Sequence, residues 1–227
     1  MTRRLLVPLA LLLVPACAGN APPLNPSNTP TPVATAQGLS PAQLDSLWGQ
    51  LQAAMRSHKW DKASTLAERA ILELPASDPR ASEARMTIGD IHVQRKEYLE
   101  AAREYRRLSD ENPLNPLAPE ALLRVGDAYA KLWRRPELDP TYGQSALATY
   151  QELISRYPES EPAKAAAQRI AALHDKFALK EFQAAKYYLR YKAYDSAILY
   201  LKDLVVNYPR AAIVPEALAR MVARKST

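Results

Sequence analysis

The sequence predicts an all-α fold built from repeated helical hairpins, and three observations support this prediction. First, the 227 residues include only six glycines and two phenylalanines beside abundant Ala, Leu, Glu, Lys and Arg, which favours helix over sheet. Second, no Pro or Gly interrupts residues 163–208, where apolar residues recur with the period of a helix. Third, a pattern of small, aromatic and proline residues occurs four times along the chain.

The repeated pattern centres on an alanine that stands twelve residues before a proline. An aromatic residue lies three or four positions before each alanine, and a small residue (Gly89, Gly126 or Ala185) marks a preceding helix in three copies. The prolines are 38, 45 and 51 residues apart, and repeats of about this length are typical of helical solenoids. The four pairs are Ala63 and Pro75, Ala101 and Pro113, Ala146 and Pro158, and Ala197 and Pro209.

Residues 1–16 are predicted to be an export signal. Two arginines precede the apolar run 5–14, which is too short to span a bilayer as a mature helix. The run leads to Cys17, the only cysteine in the sequence, whose position resembles the acylated cysteine of a bacterial lipobox. The resemblance implies that Cys17 is diacylated and carries palmitate. Because two or more acyl chains hold a protein firmly on a membrane, we expect Cys17 to be a lipid anchor. The alternative is an ordinary leader with an incidental cysteine.

Residues 17–39 are predicted to be a lipidated tether. Between residues 18 and 38 there are five prolines and no charged or aromatic residue, so the stretch lacks the side chains of a core. In the polyproline II conformation it would extend on the order of 60 Å, at about 3.1 Å per residue. Ala18 follows the cysteine where an Asp would signal retention in the inner membrane, which favours the outer membrane.

Residues 40–227 are predicted to form about four and a half repeats. Ser40 and Pro41 have the residue types of an N-cap and a first helical position. Residues 134–144 contain two prolines and a glycine, so this insertion in the third repeat is expected to be a loop. A last helix from 215 to about 225 is expected to cap the stack. The predicted repeats cover residues 41–75, 79–113, 116–158 and 161–209.

No motif in the sequence indicates an enzyme, a cofactor site or a metal site. The three histidines are far apart, and neither a zinc-ligand spacing nor a phosphate-binding loop occurs. The pairs Gly89–Asp90 and Gly126–Asp127 suggest catalytic carboxylates at first sight. Because each pair has the same place in its repeat, we expect the glycine to permit close helix packing and the aspartate to face solvent. Nucleic acid is not an expected partner either, since the net charge is only +6 and the chain is predicted to be exported.

An aromatic cluster with interspersed cations lies in the fourth repeat. Several of its tyrosines share one flank of a helix because they are three or four residues apart. Two interpretations remain open for them. The rings either belong to the core or form a docking surface with neighbouring cations, residue types that are enriched at interface hot spots. The candidate partner-binding residues are Tyr187, Tyr188, Arg190, Tyr191 and Tyr194.

These features resemble tetratricopeptide repeats, and their order resembles one family in particular. The Cys17 lipobox, the insertion in the third repeat, and the segments SALATYQELISRYPESEPAKAAAQRIAAL and EFQAAKYYLRYKAYDSAILYLKDLVVNYP are similar to the BamD family of outer-membrane assembly lipoproteins. The resemblance covers about residues 40–222 and is most specific from 145 to 209.

The resemblance implies a scaffold on the periplasmic face of the outer membrane. BamD-like proteins bind the periplasmic domains of the barrel-forming BamA, chiefly through their C-terminal repeats, and work with the other lipoproteins of the β-barrel assembly machinery. Their N-terminal repeats are thought to recognise the C-terminal strand of unfolded outer-membrane proteins. Arg85, Arg124 and Tyr129 are therefore expected to line a client-peptide groove, because Arg and Tyr suit an extended peptide that ends in an aromatic carboxylate.

A second candidate is a periplasmic repeat lipoprotein that coordinates envelope constriction with the Tol–Pal system. Such proteins tend to have repeats of near-constant length, commonly preceded by a coiled-coil segment. In this sequence the spacing of the repeats grows along the chain, and no heptad pattern precedes residue 40. Both features favour the assembly-machinery interpretation.

Overall fold

The computed structural model describes residues 39–75 and 77–225, with side chains described up to residue 222. The predicted signal, Cys17 and residues 18–38 of the predicted tether lie outside these residues. Within them, all regular secondary structure is helical, which confirms the predicted fold class. The helices of the described residues are α1 Pro41–Arg56, α2 Trp60–Glu73, α3 Pro79–Gln94, α4 Tyr98–Glu111, α5 Ala118–Leu132, α6 Thr141–Arg156, α7 Glu161–Arg190, α8 Tyr194–Asn207 and α9 Val214–Lys225.

Each helix packs chiefly on its neighbours in the sequence, as in helical-hairpin repeats of the tetratricopeptide type. The buried residues form a series of apolar clusters instead of one central core. One cluster joins α1, α2 and α3, and the next joins α3, α4 and α5. A third joins α5, α6 and α7, and a fourth joins α7, α8 and α9. The first helices of the second, third and fourth repeats, α3, α5 and α7, therefore each contribute to two successive clusters.

The first helix begins as its sequence predicts. The Ser40 side chain accepts a hydrogen bond from the backbone of Gln43, and the Gln43 side chain accepts one from the backbone N–H of Ser40. Pro41, which has no N–H to satisfy, takes the first helical position. This reciprocal capping box satisfies donors that would otherwise have no partner at the helix start. Asp78 and Ser160 cap α3 and α7 through their side chains.

The insertion in the third repeat is shorter than predicted. The expected loop of residues 134–144 is wrong at its C-terminal end, because α6 begins at Thr141 and includes Gly143. A Cβ atom on Gly143 would lie 2.3 Å from Cε3 of Trp133, whose side chain is only 1% exposed. Gly143 therefore makes room for the tryptophan inside a helix instead of ending one. Trp133 also packs on Phe177 of α7, with 4.6 Å between the ring centroids, and this contact anchors the insertion.

The longest helix, α7, serves two successive packing groups. Its 30 residues agree with the expectation that the stretch 163–208, which has no Pro or Gly, can hold two long helices. Residues from Ala163 to Phe177 pack with α5 and α6, whereas residues from Ala178 onward pack with α8 and α9. In the part of the chain that the structure describes, no helix is apolar over enough of its length to cross a membrane, and α7 is no exception.

Candidate protein-docking surfaces

The predicted tyrosine cluster lies where α7 ends and α8 begins, and its rings fall into two groups. Tyr187 and Tyr191 are 54% and 65% exposed, and their ring centroids are 4.7 Å apart. Tyr188 is half-buried and stacks on Tyr200 of α8, with 5.3 Å between the ring centroids, and the nearby Tyr188 hydroxyl raises the pKa of Tyr200. Tyr194 is also half-buried, at the first turn of α8. The cluster thus contains surface rings and packed rings.

Exposed cations neighbour the exposed rings in the sequence. Lys186, Arg190 and Lys192 are all exposed, and none of them forms an ion pair within the described residues. We call the surface formed by Tyr187, Tyr191 and these three cations the tyrosine patch. Its charge agrees with a wider asymmetry in the sequence, because residues 161–227 contain twelve Lys and Arg but six Asp and Glu, whereas residues 39–160 contain sixteen and eighteen. Such a surface complements an acidic partner.

Arg85 lies in a furrow between α2 and α4. Only 15% of its side chain is exposed, and its guanidinium lies 3.2 Å from the carboxylate of Glu111. Cavities of about 160 and 350 Å³ meet here, and both are bordered by Arg85 and Ile71. A hydrogen bond from Arg107 lowers the pKa of the Glu111 carboxyl, and the charge of Arg85 adds to this effect. Arg85 is therefore a mostly buried cation with one carboxylate contact, and its surroundings include apolar side chains.

Arg124 connects the second repeat with the third. Its guanidinium donates hydrogen bonds to Asp90 of α3 and to Glu120 of its own helix, the latter at 2.8 Å. It also lies 5.9 Å from the centroid of the Tyr105 ring. Burial disfavours the charge of Arg124, but the two carboxylates outweigh burial and raise the pKa of the guanidinium. About 35% of the side chain stays exposed.

Tyr129 is half-buried on α5 and stacks on Tyr142 of α6, with 6.3 Å between the ring centroids. Among the described residues, no hydrogen bond, ion pair or cation–π contact joins Arg85 to Arg124 or to Tyr129. The structure therefore places the three groove candidates in two regions. Arg85 lies in the furrow between α2 and α4, whereas Arg124 and Tyr129 both lie on α5.

The Gly–Asp pairs lie where neighbouring repeats pack on each other, and we call these places the repeat junctions. A Cβ atom on Gly89 would lie 2.3 Å from Cε1 of Tyr105, and one on Gly126 would lie 2.3 Å from Cε1 of Tyr150, which confirms the predicted close packing. The prediction that both aspartates simply face solvent is wrong. Asp90 accepts hydrogen bonds from Tyr105 and Arg124, whereas Asp127 accepts them from Tyr150 at 2.7 Å and Arg169 at 3.0 Å.

These junctions have a physical cause. A tyrosine ring that packs on a glycine brings its hydroxyl beside the next residue, and a buried hydroxyl requires a hydrogen-bond partner. Burial raises the pKa of Tyr105 and Tyr150, and the hydrogen bond to the aspartate raises it further. The sequence held a signal for this network, which the sequence analysis missed. The tyrosine follows its glycine by 16 residues at the first junction and by 24 at the second, and the arginine follows its aspartate by 34 and by 42 residues. The insertion thus lengthens both spacings by eight residues.

The described residues contain no group of three or more His, Cys, Asp or Glu side chains placed to hold a metal ion. A cavity of about 430 Å³ lies between α7 and the turn that connects α8 to α9. The surfaces of interest are therefore the tyrosine patch, the furrow at Arg85 and this cavity.

Two solved structures resemble the fold at low sequence identity. A tetratricopeptide-repeat protein of Thermus thermophilus is 16% identical, with a TM-score of 0.42 over 79% of this chain and 99% of that one. A putative protein-binding protein of Bacteroides ovatus is 14% identical, with a TM-score of 0.44 over 80% of this chain and 89% of that one.

Comparison with curated proteins and family models identifies relatives of this chain. The outer membrane protein assembly factor BamD of Caulobacter vibrioides is 27% identical over 163 residues, which are 72% of this chain and 53% of the relative. The BamD of Vibrio cholerae is 35% identical over 75 residues, or 33% and 31% of the two chains. This chain thus spans about half the length of the first relative and a third of the second. Residues 42–227 match the family model YfiO, described as an outer membrane lipoprotein. The chain belongs to this family of BamD-like outer membrane lipoproteins.

Proposed function

We propose that this protein is a non-catalytic scaffold of outer-membrane protein assembly, which binds a BamA-like barrel protein and helps to deliver and insert unfolded clients. The observation that carries this proposal is the tyrosine patch on a chain of the BamD-like family. The relatives are named outer membrane protein assembly factors. A helical repeat chain with an exposed aromatic and cationic surface has the properties that such a role requires.

The tyrosine patch is suited to a stable, folded partner. Tyr187 and Tyr191 present large rings that lose little conformational entropy when they bind, and they lie beside exposed cations. Tyr188, which stacks on Tyr200, fixes the backbone behind them. Because Lys186, Arg190 and Lys192 have no acidic partner within the described residues, we expect the bound surface of the partner to be acidic.

The furrow at Arg85 is suited to an extended client segment. A carboxylate that enters the furrow can pair with the guanidinium of Arg85, which has donors to spare beside its contact with Glu111. The side chains of Ile71 and Ile88 offer apolar surface for the residue before that carboxylate. We keep Arg124 and Tyr129 in the proposal as a second client contact, because each leaves part of its side chain accessible on α5.

The proposal places the protein on the periplasmic face of the outer membrane. A lipid on Cys17 would hold the chain there, and residues 18–38 would give the repeats reach toward their partners. Other lipoproteins of the assembly machinery would lie on the same periplasmic face of the outer membrane. Recognition by binding alone requires neither a cofactor nor a metal ion.

The test is a double substitution in the tyrosine patch. Arg190→Ala with Tyr191→Ala removes an exposed ring and an exposed cation, so the fold should be kept while binding to purified periplasmic domains of the BamA-like protein falls at least tenfold. A matched control is Arg135→Ala with Tyr142→Ala, which removes the same two residue types from the insertion and the start of α6. Affinity is measured by titration calorimetry after circular dichroism has shown equal helicity and equal melting temperature.

The control variant should bind within twofold of the unmodified chain. If the Arg190→Ala, Tyr191→Ala variant also binds with unchanged affinity, the docking surface lies elsewhere on the molecule. The acidic nature of the partner is checked in the same experiment, since raising the salt concentration should weaken binding of the unmodified chain more than binding of the variant.

A further inference from the structure

The two arms of the last long hairpin differ greatly in length. Helix α7 has 30 residues, whereas α8 has 14 and is followed by Tyr208. The Tyr208 ring lies 5.7 Å from the His174 ring and 6.0 Å from the Phe177 ring. The end of α8 is thus fixed near residue 174, and residues 161–173 of α7 extend beyond it for about 20 Å, at about 1.5 Å per residue.

Arg169 shows which position in a repeat this part of α7 occupies. It donates a hydrogen bond to Asp127, just as Arg124 donates one to Asp90 one repeat earlier. The start of α7 therefore stands where the first helix of the next repeat belongs. Two residues after Arg124 comes Gly126, and two residues after Arg169 comes Ala171.

Among the helices of the described residues, no second helix covers Ala171, in contrast to the other equivalent positions. Gly126 is covered by Tyr150 of α6, and Ala185, the small residue of the fourth repeat, is buried with Leu201 in the cluster that α7 forms with α8. Ala171 is exposed and borders the cavity of about 430 Å³. Ala171 and its neighbours thus form a surface of the kind that the second helix of a repeat covers elsewhere in the fold. The described part of the chain supplies no second helix for this surface.

The walls of the cavity define what would fit. Ile170, His174 and Tyr208 border it, and Arg210 lies exposed at its edge. Asp175, which also borders it, accepts a hydrogen bond from the backbone N–H of Ala212 at 2.8 Å. The cavity therefore combines apolar and aromatic walls with an exposed cation, in the part of the sequence where Lys and Arg outnumber Asp and Glu twelve to six.

We propose that the cavity wall formed by Ala167, Ile170, Ala171 and His174 of α7, together with the turn 207–211, is a docking site for an amphipathic helix of another protein. This helix takes the place of the missing second helix, puts one large apolar side chain over Ala171, and carries acidic side chains that face Arg210. The internal repeats support such an occupant, because Tyr150 covers Gly126 in the same way. The site is separate from the tyrosine patch, since Tyr187 is about 24 Å farther along the helix axis.

The experiment uses the full-length chain in native envelopes. A photo-crosslinking amino acid replaces Asn207, an exposed residue at the border of the cavity, and the adducts formed under ultraviolet light are identified by mass spectrometry. Ala171→Leu fills the floor of the site, and Gln168→Leu is the matched control, because Gln168 is exposed on the same helix but does not border the cavity. Melting temperatures of both variants should equal that of the unmodified chain.

The expected adduct joins this chain to a helical segment of a second protein that contains a large apolar residue and nearby carboxylates. Its yield should fall at least tenfold with Ala171→Leu and with Arg210→Glu, and should stay within twofold with Gln168→Leu. An adduct with a second copy of this chain or with lipid, the absence of any protein adduct, or a yield that does not respond to Ala171→Leu would overturn the proposal.

Discussion

At the scale of single residues, the repeats are held together by pairs of complementary size. In each hairpin, a buried residue of the first helix is matched by a buried residue of the second, 16 positions later, or 24 where the insertion intervenes. Where one residue of a pair is small the other is large, so the summed side-chain volume of a pair stays nearly constant although the residue types differ. The pairs are Leu51 and Ala67, Gly89 and Tyr105, Gly126 and Tyr150, and Ala185 and Leu201.

This complementarity predicts opposite effects for the same substitution at two glycines. Gly126→Ala places a methyl group against the ring of Tyr150, which is held by its hydrogen bond to Asp127, so the free energy of unfolding should fall by about 1–3 kcal/mol. Gly49→Ala adds a methyl group where nothing lies within 4 Å. There the better helix propensity of alanine should raise the free energy of unfolding by about 0.5–1 kcal/mol. Chemical denaturation of both variants measures the two changes.

A double variant separates packing from other causes. Gly126→Ala combined with Tyr150→Leu recreates the Ala–Leu pair of the fourth repeat, so it should be more stable than the sum of the two single substitutions indicates. Simple additivity, or a stable Gly126→Ala variant, would show that the ring can move aside and that the glycine is not required for packing.

At the scale of the elements, three of the four hairpins turn by the same backbone conformation. His58, Lys96 and Lys192 have φ values of 53°, 62° and 59°, and each lies five residues before the alanine of its repeat. The left-handed region is costly for residues with a side chain, by roughly 1–2 kcal/mol. The third hairpin has no such residue, because its insertion gives the chain another way to reverse direction.

The turn between α3 and α4 tests this account. Lys96→Gly should keep or raise the melting temperature, because glycine adopts a positive φ without the steric cost of a Cβ atom. Lys96→Val should lower the stability by about 1–2 kcal/mol, since a β-branched residue is a poor fit to this conformation. Equal melting temperatures for the two variants would mean that the turn relaxes to a negative φ.

A charged contact links α4 to α6 and predicts a dependence on pH. Burial raises the pKa of the Glu152 carboxyl, but hydrogen bonds from Arg106 and Arg156 outweigh burial, so the pKa lies below its usual value of 4.5. A carboxyl whose pKa is lowered by folding stabilises the folded state above its unfolded pKa, and this contribution disappears as the pH falls through the folded value.

Acid unfolding is therefore expected to depend in part on Glu152. Between neutral pH and pH values below about 4, the unmodified chain should lose more stability than the Glu152→Gln variant, because glutamine has no proton to gain. Glu137→Gln in the insertion serves as a control, since Glu137 is exposed and forms no ion pair within the described residues. Midpoints of urea unfolding at a series of pH values measure the difference, and parallel curves for the unmodified and Glu152→Gln chains would contradict it.

At the scale of the whole molecule, the anchor and the binding surfaces are predicted to have separate tasks. Cys17→Ser should abolish acylation and raise the share of the protein in the soluble fraction, because acyl chains no longer hold the chain on the membrane. Cell fractionation and mass spectrometry of the mature N-terminus measure both effects. Peptides that extend intact across Cys17 in the mature protein, with no added lipid mass, would disprove the anchor. Binding of the purified soluble variant to a BamA-like partner should be unchanged, since the tyrosine patch lies in residues 186–192.

The helices were predictable because each depends on residues that are close together in the sequence. The Ser40 cap, the break at Pro209 and the long uninterrupted run after residue 162 all act within a few turns of the chain. The insertion was the exception. Gly143 looked like a helix breaker, and only its contact with Trp133, ten residues away, shows why it lies inside a helix.

The sequence by itself determined the all-α repeat class, the order of the hairpins and the small residues at which they pack, because these follow from local spacing. Only the tertiary structure decided which side chains face a partner. Tyr187 and Tyr188 are adjacent in the sequence, yet one is exposed and the other stacks on Tyr200. The partners of Asp90 and Arg85 likewise come from other helices, 15 to 34 residues away. Exposure and pairing depend on how helices meet, and spacing within one helix does not contain that information.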